Sequence, residues 1–374
     1  MNKLLTILTL LTGLVLIVAG CSNDPALPDV KADTHLAETV APAGDDALAD
    51  KHFGRHATVV VANRNDGTIS VIDARKARLV ATVDLPRGEG DAQPEPMYVN
   101  GVKRYGRVFV GDRANNRVVA FDARTFAVEG MVPTGQGVFH QWADGLGRQL
   151  WVNNDVDNTI TVIDPGSLTV MATIDIPADL VAMGGKPHDV ILSPLGRYAY
   201  VTVLGLAGPN DYLLQYDTDS FSELNRQPVG KDPHLSIGAF TYLYVPCQYT
   251  DQVLVFHPRT LRLVTELTVP GAHGAAMAPG GRRFYTTNLP GGGSDAIFTI
   301  DTRRNEIVGD PVATPYAVPH NLAITPDGKL LYVTHSGSTS DKVTVYRLRG
   351  RDRAPAYVGE VSVGLNPFGL GIAF

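Results

Sequence analysis

The feature that most constrains this chain is a repeat. From about residue 56 onward the sequence returns seven times to one plan. "VVVANRNDGTISVIDARKARLVATVDLP", "RVFVGDRANNRVVAFDARTFAVEGMVPTG", "LWVNNDVDNTITVIDPGSLTVMATIDIP" and "YLYVPCQYTDQVLVFHPRTLRLVTELTVPG" show it in four copies. Each copy has an apolar run, a polar turn rich in Asn, Asp and Gly, and a second run that alternates apolar and polar residues. A second turn opening on Asp and a third run usually follow. These Asp residues cap turns and are structural. Ahead of each copy lies a further short apolar run, so one unit holds four strands in roughly 40–50 residues.

Such a period is that of four-stranded propeller blades. The expectation is an all-β chain: a seven-bladed β-propeller over residues 56–374. The first unit begins at its second strand, near "HATVVVAN", with no inner strand before it. The chain ends in "NPFGLGIAF", an inner strand with no partner after it. The C-terminal strand is therefore expected to complete the first blade and remove an exposed edge. The units resemble the YVTN (YncE-like) propeller repeats, carried here by Tyr332-Val333-Thr334-His335, Tyr285-Thr286-Thr287-Asn288 and Tyr200-Val201-Thr202-Val203. That resemblance covers nearly all of the chain after residue 55. It implies the fold and leaves the function open. Phe109, Trp151, Tyr200, Tyr244, Tyr285 and Tyr332 recur at one blade position and read as core between blades.

The N-terminus reads separately. Lys3 precedes an apolar run that ends in Val18-Ala19-Gly20-Cys21. This resembles a bacterial lipobox, implying a lipoprotein signal peptide over residues 1–20 and lipidation at Cys21. An uncleaved anchor with an incidental Cys is the alternative. Ser22, with no Asp beside the Cys, implies by the same resemblance an outer-membrane address, facing the periplasm or the cell surface. Residues 21–55 are rich in Ala, Asp and Pro and read as a tether. Net charge is −6, which argues against nucleic acid as a partner. The two cysteines are Cys21 and Cys247, so Cys247 has no intramolecular disulfide partner.

Histidines mark the start of the inner strands. His188, His234 and His320 each follow a proline, His273 stands at the same place, and His140 is matched to it in the third unit. Met97 and Phe368 fill the position in the two remaining units. Hairpin counting about each turn sets His320 opposite His335, His234 opposite Cys247 and His273 opposite Asn288. Inner-strand starts gather around the mouth of a propeller's channel. The candidate metal ligands are thus His140, His188, His234, His273, His320 and His335, with Met97 and Cys247 as possible additions. Imidazoles suit zinc or copper, and sulfur donors suit softer ions. The competing explanation is that Pro-His is a structural consensus of the repeat. His35, His52, His56 and His257 fall outside this pattern and read as surface residues.

Two further resemblances bear on the chemistry. Nitrous oxide reductase is a seven-bladed propeller whose inner-strand histidines hold copper, but this chain lacks histidine in two units and lacks the separate copper domain. Haem-binding propellers of denitrification are similar in fold only. Sugar-lactone hydrolases of propeller fold hold a divalent ion mainly through oxygen ligands, whereas these positions are rich in nitrogen. No phosphate-binding loop or nucleophile elbow is present. Asp189 follows His188 on a strand, so alternation would send the two side chains to opposite faces. The reading is an envelope-anchored propeller that binds a protein or small-molecule partner at its funnel face, with a transition metal. A metal-dependent, lactonase-like hydrolase, a cofactor-handling protein and a scaffold for an envelope complex are the alternatives.

Overall fold

The computed structural model describes residues 57–238, 241–289, 295–349 and 353–374. The expected signal peptide, Cys21 and the tether lie outside them. Seven antiparallel sheets follow one another around a ring, which is the seven-bladed β-propeller expected. From inside outward, the second sheet runs Pro96–Val102, Arg107–Asp112, Arg117–Asp122 and Val128–Pro133. The sixth departs from the plan. Its outermost strand is split into Glu306–Ile307 and Val312–Ala313, both paired with Ala296–Asp301.

Closure is by the C-terminal strand. Pro367–Ala373 pairs antiparallel with Thr58–Asn63, which pairs on its other side with Thr68–Asp73. The first sheet therefore contains both ends of the folded chain, and the ring has no gap at which sheets could part. Across each seam apolar side chains interlock: Val60, Ala62 and Ile69 of the first sheet pack with Val99, Val108 and Val119 of the second. The recurring aromatics Phe109, Trp151, Tyr200, Tyr244, Tyr285 and Tyr332 are fully buried in these seams. Each contributes about 1.5–3 kcal/mol by burial. The tyrosine hydroxyls bond to the next sheet: Tyr200 donates to Pro258 O (2.7 Å), Tyr285 to Arg353 O (2.8 Å) and Tyr332 to Ala74 O (3.1 Å). The Asp residues after the third strands cap turns as expected. Asp73 Oδ1, for example, accepts the N–H groups of Arg75 and Lys76.

One irregularity recurs and positions the site. Pro319 pairs with His335 and Leu322 with Val333, so the inner strand carries an extra residue there. The same bulge lies at Pro96/Val99, Val138/Gln141, Pro187/Val190, Ala272/Ala275 and Pro367/Leu370. A bulge adds a residue to one strand and re-aims its side chains. This corrects the hairpin counting by one in the sixth and seventh sheets: Pro319, not His320, stands opposite His335, and Ala272 opposite Asn288. In the fifth sheet Pro233 stands opposite Cys247 in an unbroken register, because the pairing is centred at position 240.

Candidate functional site

In six sheets the first residue of the bulge lies at the ring, and in the fifth, whose register is unbroken, His234 stands at the matching place. Those residues form a closed ring of contacts. Phe139 stacks on His188 with centroids 4.7 Å apart; His188 meets His234 at 4.9 Å, His234 meets His273 at 3.7 Å and His273 meets His320 at 4.8 Å. His320 meets Phe368 at 4.2 Å, and Phe368 returns to Phe139 at 6.2 Å. Met97 joins Tyr98, Phe139 and Phe368 in an apolar cluster on one side. All seven ring side chains are buried. Four of the seven are imidazoles on one side, and three are apolar on the other.

The structure differs from the sequence reading at four candidates. In the third sheet Phe139, not His140, holds the ring position, because the bulge begins one residue earlier than the Pro-His alignment suggests. His140 sits in the next layer, where its Nδ1 accepts the Val190 N–H at 3.1 Å. His335 lies outside the ring. Its Nδ1–H donates to Ala317 O (2.9 Å) and its Nε2 accepts from Thr344 Oγ1 (2.9 Å), so neither nitrogen has a lone pair to offer. Cys247 packs in the apolar seam with Leu235, Leu243 and Val245, and its thiol is directed at Val245 O (3.5 Å). Burial pushes that thiol well above its ordinary range. Met97 is on the ring, but in its apolar half.

Two carboxylates that the sequence does not mark as candidate ligands, Asp232 and Asp189, complete the site. Asp232 precedes Pro233-His234 and adopts φ 57°, a left-handed backbone that carries its side chain back over the ring. Its N–H donates to Asp211 Oδ2 (2.8 Å), itself paired with Lys231 at 2.6 Å, so the turn is pinned. Asp232 Oδ1 is 3.8 Å from both His188 Nε2 and His234 Nε2. Asp189 is the second bulge residue of its strand. Simple alternation fails there, and its Oδ1 approaches His234 Nδ1 at 3.7 Å while its Oδ2 accepts the Leu235 N–H at 3.0 Å. The Asp-Pro-His sequence before the inner strand was the available signal for Asp232. Nothing local distinguished Asp189.

These carboxylate–imidazole separations are ion-pair distances, longer than direct hydrogen bonds. Consequently His188 Nε2, His234 Nε2, Asp189 Oδ1 and Asp232 Oδ2 are buried without a hydrogen-bond partner. Buried polar atoms are ordinarily partnered, and these four stand together on facing residues, where one bound group could partner them. His188, Asp232 and His234 present ligand atoms all within 4.8 Å of one another. Tetrahedral zinc ligands at about 2.0–2.1 Å lie about 3.4 Å apart, so the group would contract from separations of 3.8 Å to Asp232 and of up to 4.8 Å overall to hold one. Asp189 beside His234 Nδ1 is the carboxylate–histidine pairing that fixes a metal ligand's tautomer.

Charge follows from the same geometry. Burial works against a charge on His234, yet Asp189 and Asp232 outweigh it and push its pKa up to about 9. Burial also opposes ionisation of Asp189, but the neighbouring His140 and His234 hold that carboxyl far below its usual range. Asp232 is lowered too: its burial is overcome by the neighbouring His234 and His188. Burial, reinforced by His234, drives His188 down to about 4. His320 falls to about 3 and His273 well below its ordinary value, in both cases chiefly through burial. At neutral pH the cluster holds two carboxylates and one imidazolium, a net negative charge beside neutral imidazoles.

A cavity of about 580 Å³ runs from this layer along the axis. His140, Asp189, His234 and His273 line its inner end; Lys103, Arg104, Trp142 and Phe374 line its outer end. A cavity of about 680 Å³ between the fifth and sixth sheets is lined by His257, Arg259, Arg282 and Arg303 and shares no residue with the ring.

No family model matches the chain, and no curated protein matches it. Solved structures do. Hydrazine synthase from Kuenenia stuttgartiensis superposes with a TM-score of 0.62 at 17% identity, covering 73% of this chain and 88% of its own. The periplasmic gluconolactonase of Pseudomonas aeruginosa gives 0.65 at 17% identity, covering 85% and 99%. A functionally unknown protein from Desulfotomaculum acetoxidans gives 0.67 at 12% identity, covering 84% and 98%. At these identities the likeness is one of fold.

Proposed function

We propose that this protein is an envelope lipoprotein whose propeller holds one divalent transition metal through His188, Asp232 and His234 and presents it to a ligand in the axial cavity. The observation that carries this reading is the set of orphaned, buried donor atoms on those three residues. Zinc fits better than Cu(I), because neither sulfur reaches the donor set: Met97 packs in the apolar half and Cys247 in a seam. Two imidazoles and one carboxylate leave a coordination position open, and a zinc ion so held supplies a Lewis acid. The protein's own residues do the rest. Asp189 orients His234, Asp211 and Lys231 fix the Asp232 turn, and Phe139 stacks on the His188 ring.

The test is metal content of the purified full-length protein after loading with zinc or copper. About one equivalent is expected, falling to background in His188→Ala and in His234→Ala. No metal above background in the parent protein would overturn the reading. The lipid anchor is tested independently by Cys21→Ser, which is expected to move the protein from the membrane fraction to the soluble fraction.

A second reading, hydrolysis of a sugar lactone, draws on the cavity's reach to Asp189 and His234 and on the gluconolactonase among the structural neighbours. Lactone turnover that stops with a chelator and returns with zinc would favour it.

A further inference from the structure

The ring that holds the histidines is also a plug. At the end where the inner strands begin, Met97, Phe139, His188, His234, His273, His320 and Phe368 meet across the axis, and none is more than 9% exposed. Above the apolar half, Arg64 lies over the Phe368 ring at 5.2 Å and Arg113 over Phe139 at 6.0 Å. Both arginines are engaged, with Glu95 at 2.7 Å and Asp155 at 2.9 Å. The cavity instead extends toward the end where the inner strands finish. There Trp142 is 37% and Phe374 43% exposed, and Lys103 and Arg104 are exposed with no carboxylate partner among the described residues. Lys103 Nζ stands 5.0 Å over the Phe374 ring, and Arg104 lies over the Tyr105 ring at 5.4 Å and reaches the Leu146 carbonyl at 3.5 Å.

From this we infer that the cavity is a binding site for a small organic acid, entered from the face opposite the histidine ring: the acid group is held at the mouth by Lys103 and Arg104, and the body lies along Trp142 toward His234 and Asp189. A volume of about 580 Å³ is that of a small-molecule site. Two unpaired cations at a mouth with low-dielectric walls attract anions into it. The flat Trp142 and Phe374 rings suit an apolar or sugar-like body. Asp189, which lines the inner end of the cavity, offers its far end a polar contact. The inference rests on the metal reading only for what the far end of the ligand meets.

The protein reports on itself. It has two tryptophans, of which Trp151 is fully buried in a seam, so quenching by an added solute reads Trp142. The full-length protein, metal-free and zinc-loaded, is titrated with gluconate, benzoate and phenylacetate, and with glucose, benzamide and phenylacetamide as uncharged counterparts. Saturable quenching by at least one acid and not by its counterpart is expected, abolished in Trp142→Phe. The double variant Lys103→Ala/Arg104→Ala alters exposed side chains, and should weaken the acid at least tenfold while leaving zinc content unchanged. Ile324→Phe, which adds bulk to the cavity wall, should weaken it likewise. No saturable quenching by any of the three acids, or equal affinity in the double variant, would overturn the inference. Quenching in a protein that takes up no zinc would overturn the metal reading alone; one equivalent of zinc with no quenching would overturn this inference alone.

Discussion

His335→Asn should remove a distinct part of this protein's acid sensitivity. His335 is fully buried and neutral, donating from Nδ1 to Ala317 O and accepting at Nε2 from Thr344 Oγ1. Burial is the main cause that lowers its pKa to about 4, against partial compensation by the backbone carbonyls of Ala317 and Tyr316. In the unfolded chain the ring titrates near 6.5. Between these values the unfolded state carries the extra proton, so stability falls as pH falls. The contribution is fully present above about pH 6.5, declines by about 1.4 kcal/mol per unit below it, and levels off below about pH 4. Over about 2.5 units this amounts to about 3 kcal/mol. Asparagine is the residue other sheets use here: Asn63 and Asn154 bond hydroxyls of the neighbouring strand, and Asn288 accepts the Ala296 N–H. The variant is therefore expected to fold. The assay is urea denaturation of both proteins from pH 7 to pH 4. The parent should lose about 3 kcal/mol more than the variant over that range, with the excess confined to the region below pH 6.5. Parallel curves would show that His335 is not held neutral by burial.

The other expectations follow from closure, packing and ligand support. Deleting residues 366–374 removes the partner of Thr58–Asn63 and exposes that strand's edge, so the cooperative thermal transition should be lost and the protein should aggregate; an unchanged transition would contradict the closure. Gly274→Ala would place a Cβ 1.9 Å from His320 O, which forces backbone movement and should cost about 1–3 kcal/mol in denaturant unfolding. Asp189→Asn keeps the shape beside His234 but removes the charge, and zinc affinity measured by chelator competition should fall about 10–100-fold.

The fold was legible because a propeller is stated many times over. Seven copies of an alternating pattern and an unpaired first and last strand leave little room for another topology, and Asp73 or Tyr332 can be placed by its counterparts. The site was less legible, for a physical reason. Candidate ligands were aligned by the residue type Pro-His and paired by strict alternation, and the inner-strand bulge breaks both rules. It made His335 seem to face the ring, set His140 in the wrong layer and hid Asp189, whose side chain alternation would send away from His188. Asp232 needed a left-handed backbone, which recurs at the matching Gly137, Gly271, Val318 and Asn366 but is not marked by a shared residue type.

The two explanations for the histidines can now be assigned to different residues. A repeat consensus accounts for His320, whose Nδ1 lies 3.3 Å from the Phe368 carbonyl of the next sheet, and for His273, whose Nδ1 meets Gln248 Oε1 at 3.1 Å. Both are neutral, and neither has a carboxylate at ion-pair distance among the described residues. It does not account for His188 and His234. These two share Asp232, one of them is also paired with Asp189, and their inward nitrogens have no hydrogen-bond partner. Among the described residues, a carboxylate placed by a left-handed turn and a second placed by a bulge occur together only between the fourth and fifth sheets. The near-symmetric ring supplies the imidazoles, and the two acids that break its symmetry select which of them can act as ligands.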